Sequence, residues 1–338
     1  MPTQLIIEQF TSRVLVDNPL GDPATRQLPI ILPPDYASDD ETSGRRYPVI
    51  YGLTGFTGSG PMMLNLSAWQ PNLPQRIDRL MAEGKLSPAI YVLPDCFTRY
   101  GGSQYLNSTA SGRYEDYVVD EIVPHIDRMY RTIAKPEGRG IFGKSSGGYG
   151  SIRLGMKHPD VFGAVACHSG DMAFDLVYRP DFPQFVNALQ KAGGLDKWWI
   201  EFECKVKKES RDIEAVNILA MAAAYSPNLT AQPLPIDFPF DLDTCELKPE
   251  VWARWLECDP VQLADRYADN LKRLRLLFID CGTRDEFNLH FGARILVKKL
   301  QALGVAHEYE EFDDGHMNVQ YRYDVSLPKV VGALQAAD

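Results

Sequence analysis

The chain has 338 residues, 45% hydrophobic and 24% charged, enough apolar side chain to bury a large core and too much of it for a disordered polymer. A formal net charge of −10 gives no basic footprint for nucleic acid or an anionic membrane, so neither is expected as a partner. No basic segment leads into an apolar run at the start and no run is long enough to span a bilayer. The expectation is a cytoplasmic protein acting on a small molecule, with its oligomeric state open and a homodimer among the options.

In chain order, Leu5 to Phe10, Arg13 to Val16 and Arg26 to Leu32 read as short antiparallel edge strands joined by turn residues such as Asn18-Pro19-Leu20-Gly21-Asp22-Pro23. The pattern then changes. Pro48 to Leu53 and Ala89 to Leu93 are unbroken apolar strands, separated by a helix from about Leu73 to Glu83 that Gly84 would end. A helix over Tyr117 to Tyr130, a strand at Ile141, a helix from Gly147 to His158 closed by Pro159, and a strand after Gly163 continue the alternation. After a break it resumes with a strand over Leu276 to Asp280, a helix from Asn288, a strand from His307 and a last helix near Leu327 to Ala336. Such alternation implies a mostly parallel sheet covered by helices on both faces, one domain over residues 1–338.

The break spans about 170 to 269, where strand and helix no longer alternate. It carries Trp198-Trp199, a helical Asp212 to Tyr225, a Pro-rich stretch from Pro227 to Pro235, and Trp252 and Trp255. Because it follows a strand end, it is expected to be a cap or lid-like insertion that shapes a substrate pocket.

Ile141-Phe142-Gly143-Lys144-Ser145-Ser146-Gly147-Gly148 runs from a strand through Gly-x-Ser-x-Gly into a helix. A serine on a sharp strand-to-helix turn presents Oγ to solvent, and side chains two residues to either side would collide with the backbone, so Ser145 is the candidate nucleophile. Ser146 is excluded by register, since Lys144 stands where its glycine would be. The turn Asp313-Asp314-Gly315-His316 places His316 on a loop past a strand end, and Asp285 follows the Leu276 strand on a loop of its own. The order Ser145, Asp285, His316 is the one α/β-hydrolases use.

Other residues compete for these roles. His125 and His158 read as helix-face and helix-end residues, and His290 and His307 fall in a helix start and a strand. His168 ends an apolar strand and is expected to line the pocket. Glu286 and Asp280 are alternative acids, with Asp280 pointing into structure at a strand end. An oxyanion hole needs two backbone donors, and the loop Leu53-Thr54-Gly55-Phe56-Thr57-Gly58 after the third strand suits one of them; Phe56 and Ser146 are assigned. Thr57, Tyr105, His168 and Trp252 are the candidate pocket residues. The six cysteines are scattered and show neither Cys-x-x-Cys nor a Cys/His ligand spacing, so no metal and no cofactor is expected.

Taken together, Tyr47-Pro48-Val49-Ile50-Tyr51 to Thr54-Gly55-Phe56, Tyr114-Glu115-Asp116-Tyr117-Val118-Val119, Gly143 to Gly150 and Lys157-His158-Pro159-Asp160-Val161-Phe162 resemble the putative-esterase family of α/β-hydrolases. That family contains esterase D (S-formylglutathione hydrolase), feruloyl and acetylxylan esterases, enterochelin esterases and mycolyltransferases. The resemblance implies a metal-free serine hydrolase acting on a carboxylic ester through an acyl-enzyme, with Ser145, Asp285 and His316 at the triad positions. An acyltransferase or a thioesterase of the S-formylglutathione hydrolase type would use the same residues. Lys144 departs from the histidine often found before the nucleophile.

Overall fold

A computed structural model describes residues 2–36 and 44–335. Ten strands are present among them: β1 (Gln4–Thr11), β2 (Thr25–Leu32), β3 (Val49–Leu53), β4 (Ile90–Val92), β5 (Asn107–Ser108), β6 (Gly112–Arg113), β7 (Arg139–Lys144), β8 (Ala164–His168), β9 (Leu276–Gly282) and β10 (Glu308–Phe312). Eight form one sheet in the order β1-β2-β4-β3-β7-β8-β9-β10, while β5 and β6 make a separate small hairpin. The pairs β1–β2 and β2–β4 are antiparallel, and every pair from β4–β3 to β9–β10 is parallel. This is the α/β-hydrolase fold, with antiparallel strands at its N-terminal edge.

The central strands β3, β7, β8 and β9 have apolar middles because both faces are covered, with Arg139, Lys144, His168 and Asp280 confined to the ends or near them. Successive residues point to opposite faces. In β7, Ile141 joins the larger core, with the helix Ser146–Lys157 and the helices of the 170–269 segment, whereas Phe142 joins the smaller one. The smaller core is made with Leu73, Ile77 and Leu80 of the helix Leu73–Ala82 and with Leu327, Val330 and Leu334 of the helix Tyr323–Gln335. The helix Leu73–Ala82 starts on a capping box between Asn72 and Gln75 and ends before Gly84, whose φ of +67° favours glycine.

Two elements differ from the sequence expectation. Arg13 to Val16 is a turn, not a strand. Ser12 Oγ and the Arg13 N–H donate to the buried carboxylate of the sequence-distant Glu121, the Leu15 N–H donates to Ser12 Oγ, and Asn18 accepts from Leu20 and Asp22, so side chains capture backbone groups a strand would have used. The last helix begins at Tyr323 and carries Pro328 inside it; its expected end at Ala336 lies outside the described residues. Segment 170–269 is chiefly helical, its longest element being Ser210–Tyr225.

The parallel strands aim their carboxyl ends at one rim. The loops after β3, β7, β8, β9 and β10 meet there, where open α/β sheets gather ligands.

Candidate active site

Ser145 sits between β7 and the helix Ser146–Lys157 with φ 58° and ψ −127°, a conformation that costs an L-residue energy and turns its side chain out of the sheet. The flanking glycines are explained by distance. A Cβ on Gly143 would lie 2.3 Å from the Gly147 carbonyl oxygen, and one on Gly147 would lie 2.3 Å from that of Leu53. The turn closes only because neither side chain exists.

His316 lies past β10, and its Nε2 is 3.0 Å from Ser145 Oγ. Its Nδ1 is 2.8 Å from Asp285 Oδ2, so the imidazole spans hydroxyl and carboxylate. The other Asp285 oxygen accepts the N–H groups of Phe287 and Leu289 at 2.9 and 3.4 Å. Burial alone would raise the Asp285 pKa. The hydrogen bond and charge of His316, aided by those two N–H groups, outweigh it and hold the carboxyl below its ordinary value. Glu286, the alternative acid, accepts the His316 backbone N–H at 2.6 Å, and the Phe287 ring meets the imidazole edge-on. Asp280 is turned away, between His168 and Arg322.

Ser146 opens the helix, so its N–H has no helical acceptor. The β3 loop approaches from the other side: a Cβ on Gly55 would meet Ser145 Cβ at 3.2 Å, and Phe56 is the next residue of that loop.

The four expected pocket residues separate. Thr57 lines a cavity of about 400 Å³ beside Ser145, together with Gly55, Lys144 and Met317. The other three are corrections. Tyr105 lies behind the β3 loop, where its hydroxyl donates to the Thr54 carbonyl at 2.6 Å. His168 is 1% exposed and its ring is taken up by Asp280 and Ser326, at 2.7 and 2.8 Å, so it faces the protein interior. Trp252 packs on Phe182 and Trp255 inside segment 170–269. A strand-end position predicts nearness to the rim but not which way a side chain turns.

Sequence reasoning missed a polar cluster beneath Ser146. Asp171 accepts from Gln104 Nε2 and the Tyr178 hydroxyl, each at 3.0 Å, and from Ser146 Oγ at 3.3 Å. Its burial raises its pKa against the pull of Gln104, Tyr178, His316 and Ser146. No local pattern signals this cluster, because its members lie on separate loops and helices. Among the described residues, no group of three or more His, Cys, Asp or Glu is arranged to hold a metal ion, and no helix is long and apolar enough to cross a membrane.

A serine on the elbow of an α/β-hydrolase sheet, backed by imidazole and carboxylate, is the arrangement expected of a hydrolase of that fold. The chain belongs to the putative-esterase family, whose profile matches residues 23–332. It is 25% identical over 319 residues to an esterase of Mycobacterium tuberculosis, a match covering 91% of this chain and 56% of that protein. It is also 27% identical over 143 residues to an endo-1,4-beta-xylanase/feruloyl esterase of Xylanibacter ruminicola, covering 42% and 19% of the two chains. The chain therefore spans about half the length of the M. tuberculosis relative. Among solved structures it resembles a ferulic acid esterase (TM-score 0.63, 20% identity, 98% and 100% of the two chains covered). It also resembles an S-formylglutathione hydrolase of Staphylococcus aureus (TM-score 0.60, 16% identity, 99% of each chain covered).

Proposed function

We propose that this chain hydrolyses small carboxylic esters by two-step acyl transfer. The observation that carries the reading is the continuous path from Asp285 through His316 to Ser145, with contacts of 2.8 and 3.0 Å. His316 Nε2 takes the proton from Ser145 Oγ as the oxygen adds to the ester carbonyl. Asp285 fixes the imidazole tautomer and stabilises the cation that results. The negative charge that develops on the former carbonyl oxygen is held by the backbone N–H groups of Phe56 and Ser146, aided by the positive end of the helix Ser146–Lys157. Collapse returns the proton from His316 to the departing alcohol. Water, activated by the same imidazole, then releases the acid and restores Ser145.

Segment 170–269 serves in this reading as a fixed wall beside the site. It is supported by Asp171 and Tyr178 against Ser146, and by the Tyr149 hydroxyl donating to the Cys258 carbonyl at 3.1 Å. A reducing, cytoplasmic setting belongs to the same reading and suits the six free thiols.

A fluorophosphonate probe should label Ser145, and Ser145→Ala should abolish labelling and lower kcat for an aryl ester on the order of a thousandfold or more. Retained turnover in that variant overturns the assignment. Product analysis with added alcohols separates hydrolysis from transfer: free acid is expected, and diversion into a new ester would make the chain an acyltransferase.

A further inference from the structure

The cavity beside Ser145 holds a cation with no partner among the described residues. Lys144 immediately precedes Ser145 and shares the Phe142 face of β7, which turns its side chain toward the space between the β3 loop and the helices Leu73–Ala82 and Tyr323–Gln335. It is half-buried, and no carboxylate or carbonyl among the described residues lies within ion-pair or hydrogen-bond distance of its ammonium. Arg76, the other cation lining the cavity, is different, because its guanidinium is matched by Asp324. Burial lowers the Lys144 pKa, opposed by the more distant charges of Asp285, Glu286 and Asp171.

A part-buried ammonium that has given up water without gaining an anion is poorly compensated, and a ligand that brings the anion recovers the difference. The cavity reaches the reacting centre by three neighbours: Gly55 touches Ser145, Lys144 precedes it, and Met317 follows His316. Its other walls supply amides and hydroxyls, from Asn65, Ser67 and Gln320 among others, while Met62 and Met317 are apolar and half exposed or more.

We propose that this cavity is a substrate subsite in which Lys144 selects esters carrying an anionic group, such as a carboxylate, a few bonds from the scissile carbonyl. This rests on the esterase reading and adds to it the substrate's charge. The chain's overall charge of −10 opposes long-range attraction of such a substrate, so the preference must arise locally, in contact with Lys144.

The test uses two pairs of esters in which carboxylate and carboxamide are exchanged. In one pair the group is on the acyl side (the monophenyl ester of adipic acid against phenyl 5-carbamoylpentanoate); in the other it is on the alcohol side (4-acetoxybutanoate against 4-acetoxybutanamide). The readout is the ratio of kcat/KM, anionic over neutral, within each pair. In the unaltered protein at least one pair should give a ratio on the order of ten or more, and the pair that does so tells which side of the ester enters the cavity. Lys144→Met should bring that ratio to about one or below, Lys144→Glu should invert it, and Lys144→Arg should keep most of it. Each variant is first checked for fluorophosphonate labelling of Ser145, which reports a folded, reactive elbow; if all three fail this check, the unaltered ratio and its decline with added salt decide. Ratios near one in both pairs, or a high ratio that Lys144→Met leaves in place, overturn the proposal while leaving the esterase reading intact. Failure to turn over any of the four esters, with Ser145 unlabelled, overturns both.

Discussion

The backbone carbonyl of His168 accepts the N–H of Ser145 at 2.9 Å. Ser145 is thereby hung from the end of β8, on a residue whose ring is itself fixed by Asp280 and Ser326. A Cβ on Gly148 would lie 2.7 Å from that same carbonyl, so β8 and the start of the helix close on each other with no spare room.

His168→Ala should therefore act at a distance. It opens a cavity and removes one partner of the fully buried Asp280, a combination expected to cost about 3 kcal/mol or more. Urea unfolding reads the loss. kcat should fall while KM for a neutral ester changes little, because the elbow is displaced and the cavity is not.

Asp285→Asn should leave the fold nearly intact and lower kcat on the order of ten-thousandfold, since an amide can hold the imidazole in the wrong tautomer and cannot balance its charge. The sign of the linked pH effect follows from the depressed pKa of Asp285. The stability it contributes is present above its unfolded value, about 4, and is lost as pH falls through the lower folded value. Denaturation of both proteins from pH 7 down to acid should show the difference between them closing in that window.

Tyr105→Phe removes the hydroxyl that donates to the Thr54 carbonyl and leaves the ring in place under Gly150. The β3 loop then loses its tether from below. kcat for an aryl ester should drop about tenfold with KM little changed, the pattern of a donor displaced from the developing oxyanion.

Asp181 precedes the helix Phe182–Ala192, and burial, with Glu214 nearby, pushes its pKa up to about 6. A carboxyl raised in the folded state favours folding at low pH, and that benefit is lost as pH rises through the folded value. Asp181→Asn should stabilise the protein at pH 7 by about 1–2 kcal/mol, allowing for partial solvent exposure, and should have no such effect below about pH 4. Urea midpoints at the two pH values test this.

The fold was largely legible because the central strands are buried on both faces and so appear as apolar runs, and because Gly143 and Gly147 are glycines for a reason of geometry that survives in the sequence. The position of His316 was legible from Asp313-Asp314-Gly315, which signals a turn. Orientation at strand ends was not. His168 ends β8 and Asp280 lies two residues short of the end of β9, and only the three-dimensional register, in which they are directly opposite each other, shows that they satisfy one another and not a ligand. Asp171, Gln104 and Tyr178 escaped for a related reason: each has partners far away along the chain. Arg13 to Val16 looked like a strand because nothing local reveals that Glu121, more than 100 residues on, captures the Arg13 N–H.

Ring contacts run without interruption from Tyr149, one turn past Ser145, through Tyr225 to Trp255 and on to Phe182, at centroid separations of 6.0, 5.3 and 5.9 Å. Trp255 is fully enclosed, with its indole N–H donating to Ser226 Oγ. Joined in this way, the helical segment is tied through its rings to the helix that follows Ser145, and the cavity beside Ser145 is flanked by the exposed thioethers of Met62 and Met317, whose rotations take nanoseconds or less. On the esterase reading, turnover is expected to be paced by bond making and breaking, and thickening the solvent with sucrose should leave it unslowed.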